Sequence, residues 1–185
     1  QKGLRMVGQG KHGFVGNKPV KVNIDEELKH PTDKRVYAIA EAFEQGYTID
    51  DIHERTRIDR WFLQRLHRIH LFKETLRAHD GDGSQPLPEE VLREAKRMGF
   101  SDFQIAELTM TRSDSPMFDR MLRIREMRKG MGILPCVKQI DTLAGEYPAQ
   151  TNYLYLTYNG DKHDLEYERD HRSVIVLGSG AYRIG

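Results

Sequence analysis

The stretch GYTIDDIHERT, residues 46–56, decides how the chain is read. A glycine stops one helix, an aromatic residue anchors the joint, and Thr48 caps the helix that follows. Asp51, three residues on, supplies a partial capping box. The same plan returns at GFSDFQIAELT, residues 99–109. Gly, Ile, Glu and Thr coincide in the two stretches, Tyr47 matches Phe100, and Thr48 matches Ser101. In the second stretch Ser101 and Gln104 form a full Ser-x-x-Gln box. Two readings are open: one helix–loop–helix solution used twice, or two related helical lobes.

Working outward, Pro31-Thr32-Asp33 opens a helix capped by Thr32 or Asp33, with Val36, Ile39, Ala40 and Phe43 on its apolar face. After Thr48 a short helix runs to about Arg55, and a long one from about Asp59 to His79. The long helix carries Phe62, Leu66, Ile69 and Leu76 at helical spacing, widened by Trp61, Leu63 and Phe72. Pro88 opens a helix through Met98 with Val91, Leu92, Ala95 and Met98 inward. The second capped helix ends near Leu108, and another spans roughly Met117–Lys129, stopped by Gly130 and Gly132. Residues 8–30, rich in Gly, Asn, Pro and Lys, read as a linker or surface loop. The last third changes character. NYLYLTY (152–158) reads as a strand, NGDKHD as a turn, and SVIVLGSG as a buried strand entering a glycine-rich loop.

The chain has 185 residues, 38% hydrophobic and 31% charged, and a net charge of +1. That composition suits a soluble helix-rich domain and offers no global attraction to nucleic acid or membrane. No apolar run is long enough to span a bilayer. A single cysteine, Cys136, excludes an internal disulfide and fits a reducing compartment. The start QKGLRM has no initiating methionine, and the terminal loop has no helix after it, so both ends read as cut from a longer polypeptide.

Several constellations suggest chemistry. DGDGSQPLP (80–88) has the acidic spacing of a calcium loop. Its sixth position, however, is Gln85, and the terminal glutamate position falls on Val91, so calcium is rejected. His67 and His70, with Glu74 one turn on, give part of a metal set with no further ligand placed by spacing, and they read as surface helix histidines. Cys136 has no local histidine partner and reads as a bystander thiol. The segment 47–69 has helix-turn-helix proportions with Arg60, Arg65 and Arg68 on its second helix. Against that stand the apolar Trp61-Phe62-Leu63 at the helix start and the acidic Asp50, Asp51, Glu54 and Asp59. The terminal loop, with Gly178, Gly180 and Gly185, meets neither the dinucleotide fingerprint, because Arg183 stands at its third glycine, nor the P-loop. A tight strand-to-helix turn without nucleotide contact is the favoured reading of it.

Three stretches together resemble the large chain of carbamoyl phosphate synthetase: RIDRWFL (57–63), VKQIDTLAGEYPAQTNYLYLTYNG (137–160) and VLGSGAYRIG (176–185). Gly145 departs from the alanine expected there. The resemblance covers essentially the whole chain. HPTDKR and AQTNYLYLTY lean toward the eukaryotic multifunctional pyrimidine-pathway branch. It implies a mainly α fold, a helical oligomerisation domain followed by the first β-strand and Gly-rich loop of a truncated α/β (pre-ATP-grasp) domain. Residues 1–16 would end the first synthetase half, 17–30 would be a linker, 31–172 the oligomerisation domain, and 173–185 the start of the second half. The implied activity is formation of carbamoyl phosphate from bicarbonate, glutamine and two ATP, an ATP-dependent carbon–nitrogen ligation that this segment scaffolds and does not catalyse. ATP and magnesium or manganese belong to the parent enzyme, with no cofactor, metal or catalytic residue on this segment. Gly178, Gly180, Arg183 and Gly185 are implied as a loop beside the internal tunnel or substrate path. The implied partners are the flanking ATP-grasp halves, a glutaminase domain and further copies of the chain, without nucleic acid or membrane, in the cytoplasm. The rival readings are a helix-turn-helix DNA-binding module and a helical protein-interaction module.

Overall fold

A computed structural model describes residues 1–7, 10–19, 22–148 and 153–165. Two compact units divide the chain after Pro135. The first is all helix among its described residues: α1 (Lys2–Met6), α2 (Ile24–Lys29), α3 (Arg35–Glu44), α4 (Ile49–Thr56), α5 (Arg60–Arg77), α6 (Glu89–Arg97), α7 (Asp102–Thr109) and α8 (Met117–Gly130). None of these helices is long and apolar enough to cross a membrane.

The repeat is real at the level of hydrogen bonds. Helices α3 and α6 each end in a glycine with positive φ, +86° at Gly46 and +87° at Gly99. That conformation lets the next amide reach back five residues: Tyr47 N–H donates to Ala42 O at 2.9 Å and Phe100 N–H to Ala95 O at 3.0 Å. Both following helices carry complete capping boxes. Asp51 and Gln104 each close back on the amide of their capping residue, so the first box is fuller than the sequence suggested. Ile52 and Ile105 are wholly buried at matching positions. The two units of the repeat then pack differently. Helices α3 and α4 pack on α5, and α2 packs on both α3 and α4; α6 and α7 pack on α8; α5 meets α7 and joins the two lobes. Leu28, Ala42, Leu63 and Leu76 fill one core, and Leu92, Ala95, Ala106 and Ile124 the other.

Three expectations need correction. The stretch expected as linker holds helix α2. Asn23 accepts the Glu26 amide, Asp25, Glu26 and Glu27 favour the positive end of the helix, and Ile24 and Leu28 are buried. Helix α3 starts at Arg35, later than expected. Thr32 still serves the entry, its hydroxyl oxygen accepting the Lys34 amide at 3.1 Å, while its own amide and hydroxyl donate to the Glu27 carboxylate at 2.9 and 2.6 Å. On α5 the buried stripe is Leu63, His70, Lys73 and Leu76, while Trp61 and Phe62 face outward. The face is turned because Leu63, not Phe62, begins the run of inward positions at intervals of three and four.

The second unit contains β1 (Cys136–Gln139) and β2 (Leu154–Thr157), antiparallel, with Cys136 opposite Thr157 and Gln139 opposite Leu154. The expected strand in 152–158 is therefore present and slightly shorter; its partner β1 was not anticipated. Gly145 has φ of +74°, a left-handed turn position that favours glycine over alanine, so its departure from the resemblance costs no helix. The strand expected in SVIVLGSG lies outside the described residues, as do Gly178, Gly180, Arg183 and Gly185.

Candidate functional site

Four places gather polar or aromatic side chains. The first lies between α3 and α5. His67 and His70 are one turn apart, and the Phe43 ring stacks near both, with centroids 4.8 and 5.8 Å away. His70 is buried, which corrects the surface reading. Burial lowers its pKa, and His67 is lowered by burial together with the nearby His70. Glu44, from the end of α3, brings its carboxylate within 3.5 Å of His70 Nδ1. Together with Glu74 these donors lie within 4.8 Å of one another, a spacing compatible with a metal ion. The charge is already compensated, however. Lys73, only 1% exposed, pairs with Glu44 and with Glu74 at 3.1 Å, and Arg77 reaches Glu74 at 2.9 Å. A cation entering here would have to expel a buried ammonium, so the cluster is an internal ion network that ties α3 to α5.

The second place is where the N-terminal segment meets α7. Arg5 Nη1 donates to His12 O, Gly99 O and the Gln104 side-chain oxygen at 3.1, 2.8 and 3.0 Å. Gln104 Nε2 donates onward to Val15 O at 2.9 Å, and Gln1 Oε1 accepts the Phe14 amide at 2.6 Å. Phe14, Val15 and Gln104 are buried. Beside this strap opens a cleft of about 720 Å³, lined by Lys11, His12, Asn17 and Lys18 against Arg77, Asp80, Glu107 and Thr111. At the start of α7, Lys96 and Arg128 converge on Asp102, at 2.6 and 3.0 Å, with all three side chains largely buried. Burial lowers the Lys96 pKa against the opposing pull of Asp102.

The third place is the start of α5. Trp61 and Phe62 are exposed, and Arg65 lies over the Trp61 ring at 4.7 Å. The arginines of the helix-turn-helix reading are partly engaged: Arg60 pairs with Asp50 at 2.6 Å and Arg68 with Glu94 at 2.7 Å. The fourth place is the small sheet of the second unit. The Cys136 thiol is buried and donates to Gly160 O at 2.9 Å, and Lys138 pairs with Asp164 at 2.7 Å. The thiol has a carbonyl for a neighbour, and His163 lies at the next residue of the strand, its Nδ1 accepting the Val137 amide at 3.0 Å.

Sequence reasoning found His67, His70 and Glu74 by spacing and missed Glu44 and Lys73, which only the packing of α3 on α5 brings in. It found Gln104 as a cap and missed its second role, because its partners Arg5 and Val15 are some ninety residues away. Among the described residues, no nucleophile, base and orienting group come together as a catalytic set.

The family described as carbamoyl-phosphate synthetase large chain, oligomerisation domain, matches residues 1–132. The chain belongs to that family. Over its whole length it is 47% identical to the multifunctional protein URA2 of Saccharomyces cerevisiae and 45% identical to the multifunctional protein CAD of Squalus acanthias. It is 43% identical to the mitochondrial carbamoyl-phosphate synthase [ammonia] of Aquarana catesbeiana. The chain spans 8% of the length of each of the first two relatives and 12% of the third. The mainly helical architecture agrees with an oligomerisation domain of this family, and this membership displaces the helix-turn-helix reading.

Proposed function

We propose that this oligomerisation domain works inside a glutamine-dependent carbamoyl phosphate synthetase of the pyrimidine pathway, where it holds two ATP-dependent halves in register. The observation that carries the reading is similarity over the entire chain to multifunctional relatives at 45–47% identity. The site chemistry supports it, since the buried polar groups pair with one another and tie helices together (Lys73 with Glu44, Lys96 and Arg128 with Asp102). In this reading bicarbonate, glutamine, ATP and magnesium or manganese are handled by other parts of a cytoplasmic parent enzyme. The partners are the flanking ATP-grasp halves, a glutaminase domain and further copies. Residues 31–172 form the domain proper. Residues 1–16 and 173–185 belong to the adjoining halves, with 17–30 between, and Gly178, Gly180, Arg183 and Gly185 border the path between active sites. The seating of Arg5 on Gly99 and Gln104 makes the first joint a packed seam.

The test uses the parent polypeptide with and without residues 31–172. Both forms are expected to hydrolyse ATP, and only the intact form to couple hydrolysis to carbamoyl phosphate. The 185-residue chain alone is expected to make none. Carbamoyl phosphate formation by the isolated chain, or full coupling without 31–172, overturns the reading.

A further inference from the structure

The strap GKHGFVGNK, residues 10–18, forms one wall of the cleft of about 720 Å³, and the ends of α5 and α7 form the other. The strap is tied down from within. Arg5 holds His12 O, the His12 ring stacks on Phe103 with centroids 4.3 Å apart, and Gln1 and Gln104 hold the Phe14 amide and the Val15 carbonyl. Asn17 closes the loop on itself, accepting the His12 amide at 2.8 Å and donating to Gly13 O at 2.7 Å. Gly10 and Gly16, at φ of +66° and +76°, let the chain turn between these anchors.

The groups left uncommitted in the lining are nearly all donors. Among the described residues, the amides of Lys11, Gly16, Asn17 and Lys18 meet no acceptor, and the Lys11 and Lys18 ammoniums have no carboxylate partner. Lys11 is also half-buried, its ammonium 5.3 Å from the centre of the Tyr37 ring. On the opposite wall the charges are mostly spent. Arg77 pairs with Glu74 at 2.9 Å, and Asp80 accepts the Thr111 amide at 2.8 Å with one oxygen and its hydroxyl with the other. Glu107 is the one carboxylate of this lining with no cation paired to it among the described residues. Two ammoniums and four amides therefore stand against one carboxylate. That excess selects an anion, and unpaired amides beside left-handed glycines form the kind of concavity that holds phosphate oxygens. A carboxylate brings two oxygens to those donors, whereas a phosphate ester brings three charged ones. The cleft is far larger than inorganic phosphate needs and falls within the range of small-molecule sites, about 300–1,000 Å³. We infer that it binds the phosphate ester of a small hydroxylated metabolite, the phosphate on Lys11, Lys18 and the strap amides and a hydroxyl donating to Glu107. The site stands on its own geometry, independent of carbamoyl phosphate synthesis.

The probe is glucose 6-phosphate, titrated into the 185-residue chain and followed by amide chemical shifts, with glucose, inorganic phosphate and a tetraglutamate peptide as controls. The ester is expected to shift the amides of Lys11, Gly16, Asn17 and Lys18 saturably. Inorganic phosphate should move the same amides and bind about tenfold more weakly, and glucose should move none. Lys18→Glu should weaken the ester about tenfold. Lys18 is exposed, so circular dichroism and the thermal midpoint should stay unchanged and separate lost binding from lost fold. Glu107→Ala should leave inorganic phosphate at least as tight and remove the advantage of the ester over it. No saturable shift with the ester, an equal response to glucose, equal affinity for ester and inorganic phosphate, tighter binding of tetraglutamate, or shifts spread over the lysines and arginines of the whole chain each overturns the inference.

Discussion

Residues 46–56 and 99–109 are two executions of one local plan, and they differ in what the plan is attached to. In the first, the box residue Asp51 stays at the surface and serves its own cap and Arg55. In the second, the matching Gln104 is buried and serves three masters: the Ser101 amide, the Arg5 guanidinium and the Val15 carbonyl. Position 49 is isoleucine, while its counterpart Asp102 holds Lys96 and Arg128. The lesson is that capping chemistry specifies a helix start within a few residues and is silent about tertiary use. The same hydrogen-bond geometry can be a surface fitting in one lobe and the keystone of a polar core in the other.

The strongest way to break that comparison is to truncate the two box residues. Gln104→Ala removes the reciprocal half of a capping box, takes one of three acceptors from Arg5 and leaves the buried Val15 carbonyl without its partner, a loss of about 2 kcal/mol. The N-terminal segment should loosen with it, read as faster amide exchange at Phe14, whose amide is held by Gln1. Asp51→Ala should cost clearly less and leave exchange at Phe14 untouched. Urea midpoints for both variants decide the matter; equal losses would mean that the buried network contributes nothing beyond the cap.

This difference also marks how far the sequence could be read. Both glycine stops, both caps and the long helix α5 were legible because each depends on residues within one or two turns. The inward face of α5 was not, because Lys73 is charged and reads as exposed. Its burial depends on Glu44 reaching it from α3. Helix α2 was legible in principle: Asn23 followed by Asp25-Glu26-Glu27 is a helix start, obscured by the Gly, Pro and Lys before it. Of the candidate sites, His67, His70 and Glu74 were visible as a spacing. The groups that make them an ion network come from another helix. The exposure of Trp61 and Phe62 went unforeseen because bulky apolar residues at helical spacing look like core.

Acid should sharpen the comparison next. His67 and His70 sit in the first lobe with pKa values lowered by burial. A folded-state value below the unfolded one means that the unfolded chain binds more protons as pH falls below about 6.5. Stability contributed by the neutral histidines is therefore complete above that value and drains as pH drops toward their lowered folded values. Carboxylates such as Glu74, lowered because the Lys73 hydrogen bond and the charges of Lys73 and Arg77 outweigh its burial, fail only in a more acidic window, below the ordinary glutamate range. Amide protection factors, which discount the intrinsic slowing of exchange in acid, should fall between pH 7 and 5 in α3 and α5 before α7 and α8. Replacing both histidines with phenylalanine should flatten that step. Simultaneous loosening of both lobes would deny the first lobe its separate histidine sensitivity.

The smallest effect should run the other way. Thr56 and Thr109 close the two stretches, both buried, and both donate their hydroxyl to the carbonyl four residues back, at 2.7 Å to Ile52 and 2.8 Å to Ile105. Those carbonyls also receive the helix's own amides, so losing the hydroxyl alone leaves nothing unpaired. Thr56, however, accepts the Ile58 amide at 3.1 Å where the chain turns through the left-handed Arg57 into α5, and no matching acceptor role is seen at Thr109. Thr56→Val should therefore cost about 1 kcal/mol by stranding the Ile58 amide, and Thr109→Val should be close to neutral, as denaturant midpoints would measure. This is the one position where the first lobe is the more demanding copy. The reason is geometric: α4 passes into α5 through a three-residue joint, Arg57 to Asp59, whereas seven residues, Met110 to Pro116, separate α7 from α8. Equal costs for the two valines would place the strain of the joint elsewhere than in that hydroxyl.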